Sequence, residues 1–303
     1  MKNLGWIGTG VMGSSMCMNL LRAGYQMSIY TRTESKAHSL IDAGALWCSS
    51  PAEVAKASEV VFSIVGYPQD VEDVFLSPSG LIPNAAEGTI LVDMTTSRPS
   101  LAQTIYAHAR NHNLHALDAP VSGGDVGARD ATLAIMVGGD KDIFDTVLPL
   151  FEVLGKTIFY MGGAGTGQHT KMSNQILIAS TMIGVVESLL YGYTAGLDQC
   201  ALIDIIGTGA ASSWSLNNLG RRIVSNDFSP GFFIKHFIKD MGIALDEARR
   251  MNLSLPGLAL ACQFYQAASA LGLENLGTQA LYTVFETLNN VPGQQSSARP
   301  VLP

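Results

Sequence analysis

The segment GTGQHTKMSNQ (residues 165–175) contains side chains that could transfer a proton. It looks like a phosphate loop, but such a loop has its lysine directly after a glycine, whereas Gly167 and Lys171 are four residues apart. If a helix begins near Gly167, then Lys171, Asn174 and Gln175 lie on one face of it. A lysine among apolar residues is easier to deprotonate than one in water, so Lys171 could act as a general base. A surface lysine beside a glycine turn is the alternative.

A second candidate segment is DAPVSGGDVGA, which begins at Asp118 after a strand-like run. The Ser122 hydroxyl and the backbone N–H groups of Gly123 and Gly124 could form a small nest for a carboxylate. Ligands of open α/β sheets bind at the carboxyl ends of the strands, and DMTTS (residues 93–97) follows another strand-like run. These segments favour a catalytic role for Lys171. A glycine-rich turn with a capping serine is the alternative for Ser122.

The segment GTGVMG follows the strand-like run LGWI and precedes a helical pattern, as a dinucleotide-binding loop does. Gly8, Gly10 and Gly13 would let the backbone approach a pyrophosphate at the N-terminus of the helix. Val11 and Met12 lie in the same loop. We therefore predict that this loop binds a nicotinamide dinucleotide.

The end of the second predicted strand indicates which dinucleotide binds. The sequence there is Tyr30-Thr31-Arg32-Thr33, without the acidic residue that holds the ribose of NAD. Arg32 can pair with the 2'-phosphate of NADP instead. We expect the protein to accept NAD and NADP with a preference for NADP. A solvated turn residue is the alternative for Arg32.

Strand-like and helical patterns alternate through the first half of the chain, which predicts a doubly wound α/β domain of the Rossmann type over residues 1–163. An all-helical substrate and oligomerisation domain is predicted over residues 164–290, and a flexible tail over residues 291–303. The strand-like runs are LGWIG, MSIY, VVFSIV, TILVDM, LHALDAP, LAIMVGG and TIFYMG.

Composition excludes several classes of protein. Of the 303 residues, 47% are hydrophobic, and the formal net charge is -7, which argues against binding to nucleic acid or to an anionic membrane. The four cysteines are widely spaced, so we expect neither a zinc site nor disulfides, and a cytoplasmic location fits best. No signal peptide is expected. The apolar run Ile176–Val186 is shorter than the ~20 residues of a membrane span, which predicts a buried helix.

With these motifs the chain resembles the β-hydroxyacid dehydrogenase family over residues 1–290. The resemblance rests on GTGVMG, DAPVSGG, GTGQHTKMSNQ and FFIKHFIKD (residues 232–240). Within the family the chain is most similar to the 3-hydroxyisobutyrate dehydrogenases, partly through GAASSWSLNN (residues 209–218).

The resemblance assigns roles to individual residues. Lys171 matches the catalytic lysine, Thr96 a residue near the nicotinamide, and Lys239 with Asp240 a pair that closes over the site. The family usually has an asparagine four residues after the lysine, where this chain has Gln175, so either Asn174 or Gln175 could orient the substrate hydroxyl. The predicted substrate site is Ser122, Gly123, Gly124, Asn174, Gln175, Phe232 and Asp240. The predicted cofactor site is Gly8, Gly10, Val11, Met12, Gly13, Thr31, Arg32, Val65, Thr96 and Lys239.

The function implied is a metal-independent, NAD(P)-dependent interconversion of a small 3-hydroxy acid and its semialdehyde. 3-Hydroxyisobutyrate, an intermediate of valine degradation, is the expected substrate. Reduction of tartronate semialdehyde, glyoxylate or succinic semialdehyde keeps the same fold and mechanism, and a noncatalytic dinucleotide-binding sensor is the alternative from another class. The long apolar helix from Met172 to Leu197 predicts a homodimer or homotetramer.

Overall fold

A computed structural model describes residues 1–291 of the chain. Residues 292–303, which make up nearly all of the predicted tail, lie outside the described residues. The chain divides into two compact units, one from Met1 to Lys171 and one beginning at Met172. Residue 163, the predicted end of the first domain, comes directly after the last strand, whereas the first unit also includes the start of the next helix.

The first unit is a sheet with helices packed against it. Within the described residues its strands are β1 (Asn3–Ile7), β2 (Gln26–Tyr30), β3 (Leu46–Trp47), β4 (Val60–Ser63), β5 (Ile90–Asp93), β6 (His115–Asp118), β7 (Val121–Ser122), β8 (Leu133–Gly138) and β9 (Gly155–Gly162). Its helices are α1 (Val11–Arg22), α2 (His38–Asp42), α3 (Pro51–Lys56), α4 (Pro68–Leu76), α5 (Pro99–Asn111), α6 (Gly124–Arg129) and α7 (Lys141–Leu154), and residues Glu34–Ala37 form a short 3₁₀ helix.

The strand order confirms the predicted doubly wound fold. The order is β3-β2-β1-β4-β5-β6-β8-β7, and β9 pairs with β8. All neighbouring pairs from β3 to β6 are parallel, whereas β8 runs antiparallel to β6 and β7. Because the chain crosses from one side of β1 to the other between β3 and β4, the crevice at the carboxyl ends of β1 and β4 is the expected ligand position.

Every predicted strand is present, and the structure adds β3 and β7. These two strands have two residues each, too few to show the period-2 alternation by which strands are recognised. The central strands β4 and β5 are buried on both faces, as expected for a parallel sheet covered by helices.

The second unit is helical. Its helices are α8 (Thr166–Thr194), which begins in the first unit, α9 (Gln199–Ile206), α10 (Arg221–Val224), α11 (Ile234–Arg250), α12 (Pro256–Ala270) and α13 (Leu281–Leu288). A π-helical segment covers Ser215–Gly220, and a 3₁₀ turn covers Thr278–Ala280. No strand is present between Gly163 and residue 291, as predicted.

Helix α8 is longer than its apolar run suggested. It has 29 residues and is long and apolar enough to cross a membrane. Core helices of soluble proteins can have the same length and apolar composition. Met172, Ala179 and Val186, which lie on one face of the helix, are buried in the core of the second unit. Only 39% of the most apolar window of the helix is buried, however, so the prediction of a buried helix holds for one face only.

Candidate active site

The first glycine loop is shaped by close backbone contacts. Gly8 has a φ of +94°, and its N–H donates a 2.9 Å hydrogen bond to the Tyr30 carbonyl oxygen. A Cβ atom on Gly8 would clash with the Ile64 carbonyl oxygen, and one on Gly13 would clash with the Gly8 carbonyl oxygen. Gly8 and Gly13 are therefore required by the turn itself and by the close approach of its backbone to the residues that follow β1 and β4.

Gly10 has a different environment. A Cβ atom there would meet no protein atom within 4 Å, so packing does not require glycine at this position. Gly10 caps α1, whose first N–H groups, beginning at Val11 and Met12, have no partner in the helix. The first turn of α1 contains no acidic residue. An open, positively polarised helix N-terminus fits a pyrophosphate, so the loop fits the predicted dinucleotide.

Arg32, which is predicted to contact the adenosine ribose, pairs with an acid that the local sequence pattern did not reveal. Arg32 follows β2 and Thr31, and its Nη1 lies 2.9 Å from Asp70 Oδ1. Asp70 is fixed by a second contact, because its Oδ2 accepts a 3.1 Å hydrogen bond from the Tyr67 N–H at the start of α4. A 2'-phosphate would have to compete with this carboxylate for Arg32.

Val65 and the turn after β5 are joined by hydrogen bonds. The Val65 N–H donates to Thr95 Oγ1 at 2.9 Å, and the Thr95 N–H donates to Asp93 Oδ1 at 3.0 Å. Thr95 is almost completely buried, and Thr96 next to it is half-buried. The structure thus brings two predicted cofactor residues, Val65 and Thr96, onto adjacent, connected turns.

The Ser122 segment lies at the end of β7. Gly123 and Gly124 have φ values of +133° and +65°, which favour glycine over residues with side chains. Helix α6 begins at Gly124, and Ser122 is half-buried. The backbone conformation is compatible with the predicted carboxylate nest.

The second glycine loop allows the start of helix α8 to pack closely against the sheet. Helix α8 begins at Thr166, close to the predicted start near Gly167. A Cβ atom on Gly167 would clash with the Met136 carbonyl oxygen and would lie 2.6 Å from the Asp118 carbonyl oxygen. The glycine therefore lets the start of α8 lie directly on the ends of β6 and β8.

Asp118, at the end of β6, binds the start of α8. Its Oδ1 accepts a 2.7 Å hydrogen bond from the Gly165 N–H, and its Oδ2 accepts a 2.8 Å bond from the Gln168 N–H. Burial raises the pKa of this carboxyl to about 6, although these backbone N–H groups act in the opposite direction.

Gln168 makes a second connection. Its side chain is fully buried, its Nε2 donates to the Thr95 carbonyl oxygen at 2.7 Å, and its Oε1 accepts from the Ser97 N–H at 2.9 Å. The amide therefore spans the turn that carries Thr96. Sequence reasoning missed Gln168, because it is one of several polar residues at the start of α8 and no local pattern distinguishes it from the others.

Lys171 follows Gln168 by three residues on the same face of α8 and is 7% exposed. An amine at this depth is largely removed from water, which distinguishes it from the surface lysine of the alternative interpretation. Lys171 belongs to the first unit, together with Thr96 and Ser122.

Four predicted site residues of the second unit, Asn174, Gln175, Lys239 and Asp240, are connected by contacts between their polar side chains. Asn174 Nδ2 donates to Gln175 Oε1 at 2.7 Å, and Gln175 Nε2 donates to Asp240 Oδ2 at 2.6 Å. Lys239 Nζ lies 3.2 Å from Asp240 Oδ1, as an ion pair without hydrogen-bond geometry. Gln175 and Asp240 are buried, whereas Asn174 is half-buried.

Phe232 lies just before α11, and His236 lies in its first turn. Phe232 packs against Phe237, with ring centroids 5.6 Å apart. Burial lowers the pKa of His236, and the charge of Lys239 lowers it further. In residues 1–291 no group of three or more His, Cys, Asp or Glu side chains could hold a metal ion.

Comparison with known proteins covers nearly the whole chain. Residues 3–162 match the family described as the NAD binding domain of 6-phosphogluconate dehydrogenase, and residues 165–285 match that described as NAD-binding of NADP-dependent 3-hydroxyisobutyrate dehydrogenase. The chain is 52% identical over 296 residues to a probable 3-hydroxyisobutyrate dehydrogenase-like 1, mitochondrial, of Arabidopsis thaliana (97% of this chain, 88% of the relative).

Two further similarities, one to a reductase and one to a solved structure, also extend over nearly the whole chain. A 2-hydroxy-3-oxopropionate reductase of Escherichia coli is 37% identical over 287 residues, which are 95% of this chain and 98% of the reductase. A solved structure of Mycobacterium tuberculosis 3-hydroxyisobutyrate dehydrogenase with L-serine is 28% identical and superposes with a TM-score of 0.86, covering 94% of this chain and 99% of that one.

Proposed function

This chain belongs to the β-hydroxyacid dehydrogenase family, and from this premise we propose that it interconverts 3-hydroxyisobutyrate, or a closely similar small 3-hydroxy acid, and the corresponding semialdehyde. It is an NAD(P)-dependent oxidoreductase. The observation that carries the proposal is Lys171, a buried amine on a helix whose first turn is bonded to the ends of two strands.

The bound dinucleotide accepts or donates the hydride. The loop from Gly8 to Gly13 would hold its pyrophosphate, with Val11 and Met12 at the N-terminus of α1. Thr31 and Arg32 would contact the adenosine ribose, and we propose a preference for NADP because Arg32 can bind its 2'-phosphate.

Val65 and Thr96 would lie towards the nicotinamide, on the two turns that the Thr95 hydroxyl connects. Lys239 keeps the cofactor-closing role implied by the family resemblance.

Lys171 would act as the general base. In oxidation its neutral amine accepts the hydroxyl proton while the carbinol carbon loses hydride, and in reduction its ammonium form returns the proton to the new hydroxyl oxygen. Ser122 with the N–H groups of Gly123 and Gly124 would hold the substrate carboxylate, which fixes the carbinol carbon in place.

Asn174 is better suited than Gln175 to orient the substrate hydroxyl. The Gln175 amide is buried and bonded at both ends, to Asn174 and Asp240. Asn174 is half-buried and uses one N–H for Gln175, which leaves its other N–H and its carbonyl oxygen for a ligand. We therefore assign the substrate contact to Asn174 and the support of Asn174 to Gln175. Phe232 and Asp240 keep the substrate-binding roles implied by the family.

The test is a set of initial rates with 3-hydroxyisobutyrate, L-serine, D-glycerate and 4-hydroxybutyrate, each with NAD and with NADP. A kcat/KM highest for 3-hydroxyisobutyrate with NADP supports the proposal and a place in valine degradation. Higher kcat/KM with NAD contradicts the proposed cofactor preference. Lack of turnover with every substrate in both directions favours a noncatalytic dinucleotide sensor.

Reduction of 2-hydroxy-3-oxopropionate (tartronate semialdehyde) is the second candidate, favoured by the 37% identity to the Escherichia coli reductase. It uses the same proton and hydride transfers. Rates with this aldehyde, glyoxylate and succinic semialdehyde, with NADPH, decide between the candidates. A kcat/KM above that for the semialdehyde of 3-hydroxyisobutyrate assigns the protein to the second function.

We also propose that the protein forms a homodimer or homotetramer. Leu177 and Tyr191, on α8, are 69% and 76% exposed in the single chain. Exposure of such large apolar side chains to water is unfavourable, and a second copy packed against α8 would bury them. In sedimentation velocity we expect a species larger than the monomer, and the double variant Leu177→Lys, Tyr191→Lys should dissociate. A monomer for the unmodified protein contradicts this.

A cytoplasmic location is proposed because Cys17, Cys48, Cys200 and Cys262 are all free. Cell fractionation checks it.

A further inference from the structure

Two buried side chains outside the predicted site, Asp118 and Gln168, connect the start of α8 to the sheet. Asp118 uses both carboxylate oxygens for N–H groups of the first turn, those of Gly165 and Gln168. A Cβ atom on Gly138 would lie 2.6 Å from Asp118 Oδ1, so this carboxylate fits only because position 138 has no side chain.

Gln168 fixes the same turn of α8 to a second strand end. Its amide donates to the Thr95 carbonyl oxygen and accepts from the Ser97 N–H, on either side of Thr96. Because donor and acceptor are both used, a rotation of the amide would break both bonds.

These contacts continue towards the cofactor crevice. Gln168 binds the carbonyl oxygen of Thr95, and the hydroxyl of the same residue accepts a hydrogen bond from the Val65 N–H. A continuous set of hydrogen bonds therefore leads from Val65 to the helix that carries Lys171. All of these residues lie in the first unit.

We propose that Asp118 and Gln168 are positioning residues that hold Lys171 at a fixed distance from the turn carrying Thr96. The proposal deepens the proposed function and rests on it, since it takes Lys171 as the base and Thr96 as a neighbour of the nicotinamide. Lys171 is one helical turn beyond Gln168, so a shift of the first turn moves the amine directly. A displacement of about 1 Å can lower a rate by about 100-fold.

The test compares two buried glutamines whose amides bind backbone groups. Gln168→Met keeps the length of the side chain and removes both hydrogen bonds. Gln279→Met is the matched control, because Gln279 is equally buried and donates to the Asp227 and Ser229 carbonyl oxygens in the second unit. Both variants should lose thermal stability.

We expect Gln168→Met to lower kcat by about 100-fold, with little change in KM or in the Kd of NADPH measured by fluorescence. Gln168→Glu, which keeps the acceptor for Ser97, should recover part of this loss. Gln279→Met should keep the wild-type kcat. Equal kcat values in Gln168→Met and Gln279→Met overturn the proposal.

A second measurement does not require turnover. The rate at which an amine reagent modifies Lys171, followed by mass spectrometry with NADPH bound, should rise in Gln168→Met and Asp118→Asn but not in Gln279→Met. An unchanged rate in the first two variants also overturns the proposal. Wild-type kcat in Lys171→Ala instead overturns the proposed function, and the modification rates then decide about positioning alone.

Discussion

Gln175 Nε2 donates a 2.6 Å hydrogen bond to Asp240 Oδ2, which connects α8 to α11 inside the second unit. The Oε1 atom of the same amide accepts a hydrogen bond from Asn174 Nδ2. One buried glutamine therefore holds both the buried Asp240 carboxylate and the half-buried Asn174 amide in place. This arrangement explains how the chain accommodates glutamine where the family usually has asparagine. The longer side chain reaches Asp240.

The two amides should therefore differ in what they contribute. Gln175→Leu leaves the buried Asp240 carboxylate without its donor and should lower the free energy of unfolding by about 1–3 kcal/mol. Asn174→Ala should change stability little and lower kcat instead. Urea unfolding and steady-state rates measure both effects. Wild-type kcat in Asn174→Ala would show that Gln175 contacts the substrate.

Lys171→Ala should lower kcat by about 100- to 10,000-fold, the usual contribution of a general acid or base. The Kd of NADPH should change little, because the pyrophosphate and ribose contacts lie elsewhere. Lys141→Ala, which removes an exposed lysine of α7, is the control and should keep wild-type activity. A kcat near the wild-type value in Lys171→Ala would remove Lys171 from the mechanism.

Two substitutions in the first glycine loop should distinguish its role in cofactor binding from its role in folding. Gly10→Ala places a methyl group where no protein atom lies within 4 Å, so the protein should fold with unchanged stability but bind NADPH weakly. Gly13→Ala creates a clash with the Gly8 carbonyl oxygen and should destabilise the first unit itself. Thermal unfolding and NADPH titration distinguish the two. Normal NADPH affinity in Gly10→Ala would place the pyrophosphate elsewhere.

Cofactor preference should depend on Arg32 and Asp70 in opposite ways. Arg32→Ala removes a charged donor for the 2'-phosphate and should raise the KM of NADP by about 10- to 100-fold, with little effect on NAD. Asp70→Asn releases Arg32 and keeps an oxygen for the Tyr67 N–H, so it should lower the KM of NADP. If NAD and NADP respond equally to Arg32→Ala, Arg32 does not read the phosphate.

Asp118 should make stability depend on pH. Its pKa rises from 3.8 to about 6 on burial, so the folded state holds this proton more tightly than the unfolded state. The resulting stabilisation is complete below pH about 3.8 and is lost as the pH rises through about 6.

The check is urea unfolding of the wild type and of Asp118→Asn at several pH values between 4 and 7. The difference in the free energy of unfolding, wild type minus variant, should fall by about 2 kcal/mol between pH 4 and pH 7, since one pKa unit corresponds to about 1.4 kcal/mol and most of the shift titrates in this range. A difference that stays constant with pH contradicts a raised pKa.

The sequence by itself determined the order of the strands along the chain, the change to helices after Gly163, the first glycine loop and the position of Lys171. Each of these follows from a pattern of neighbouring residues, because the periods of strands and helices and the glycine spacing of a turn are local properties. The same local reasoning, from the spacing of Gly167 and Lys171, argues against a phosphate loop at residues 165–175.

Only the tertiary structure decided what holds these residues in place. Gln168 binds backbone groups 71 and 73 residues away, Arg32 meets Asp70 across 38 residues, and Gln175 meets Asp240 across 65. A hydrogen bond between distant segments leaves no local pattern in the chain, because it depends on which strand ends and helices the fold makes adjacent. For this reason the spacing could indicate Lys171 but could not reveal Asp118 and Gln168.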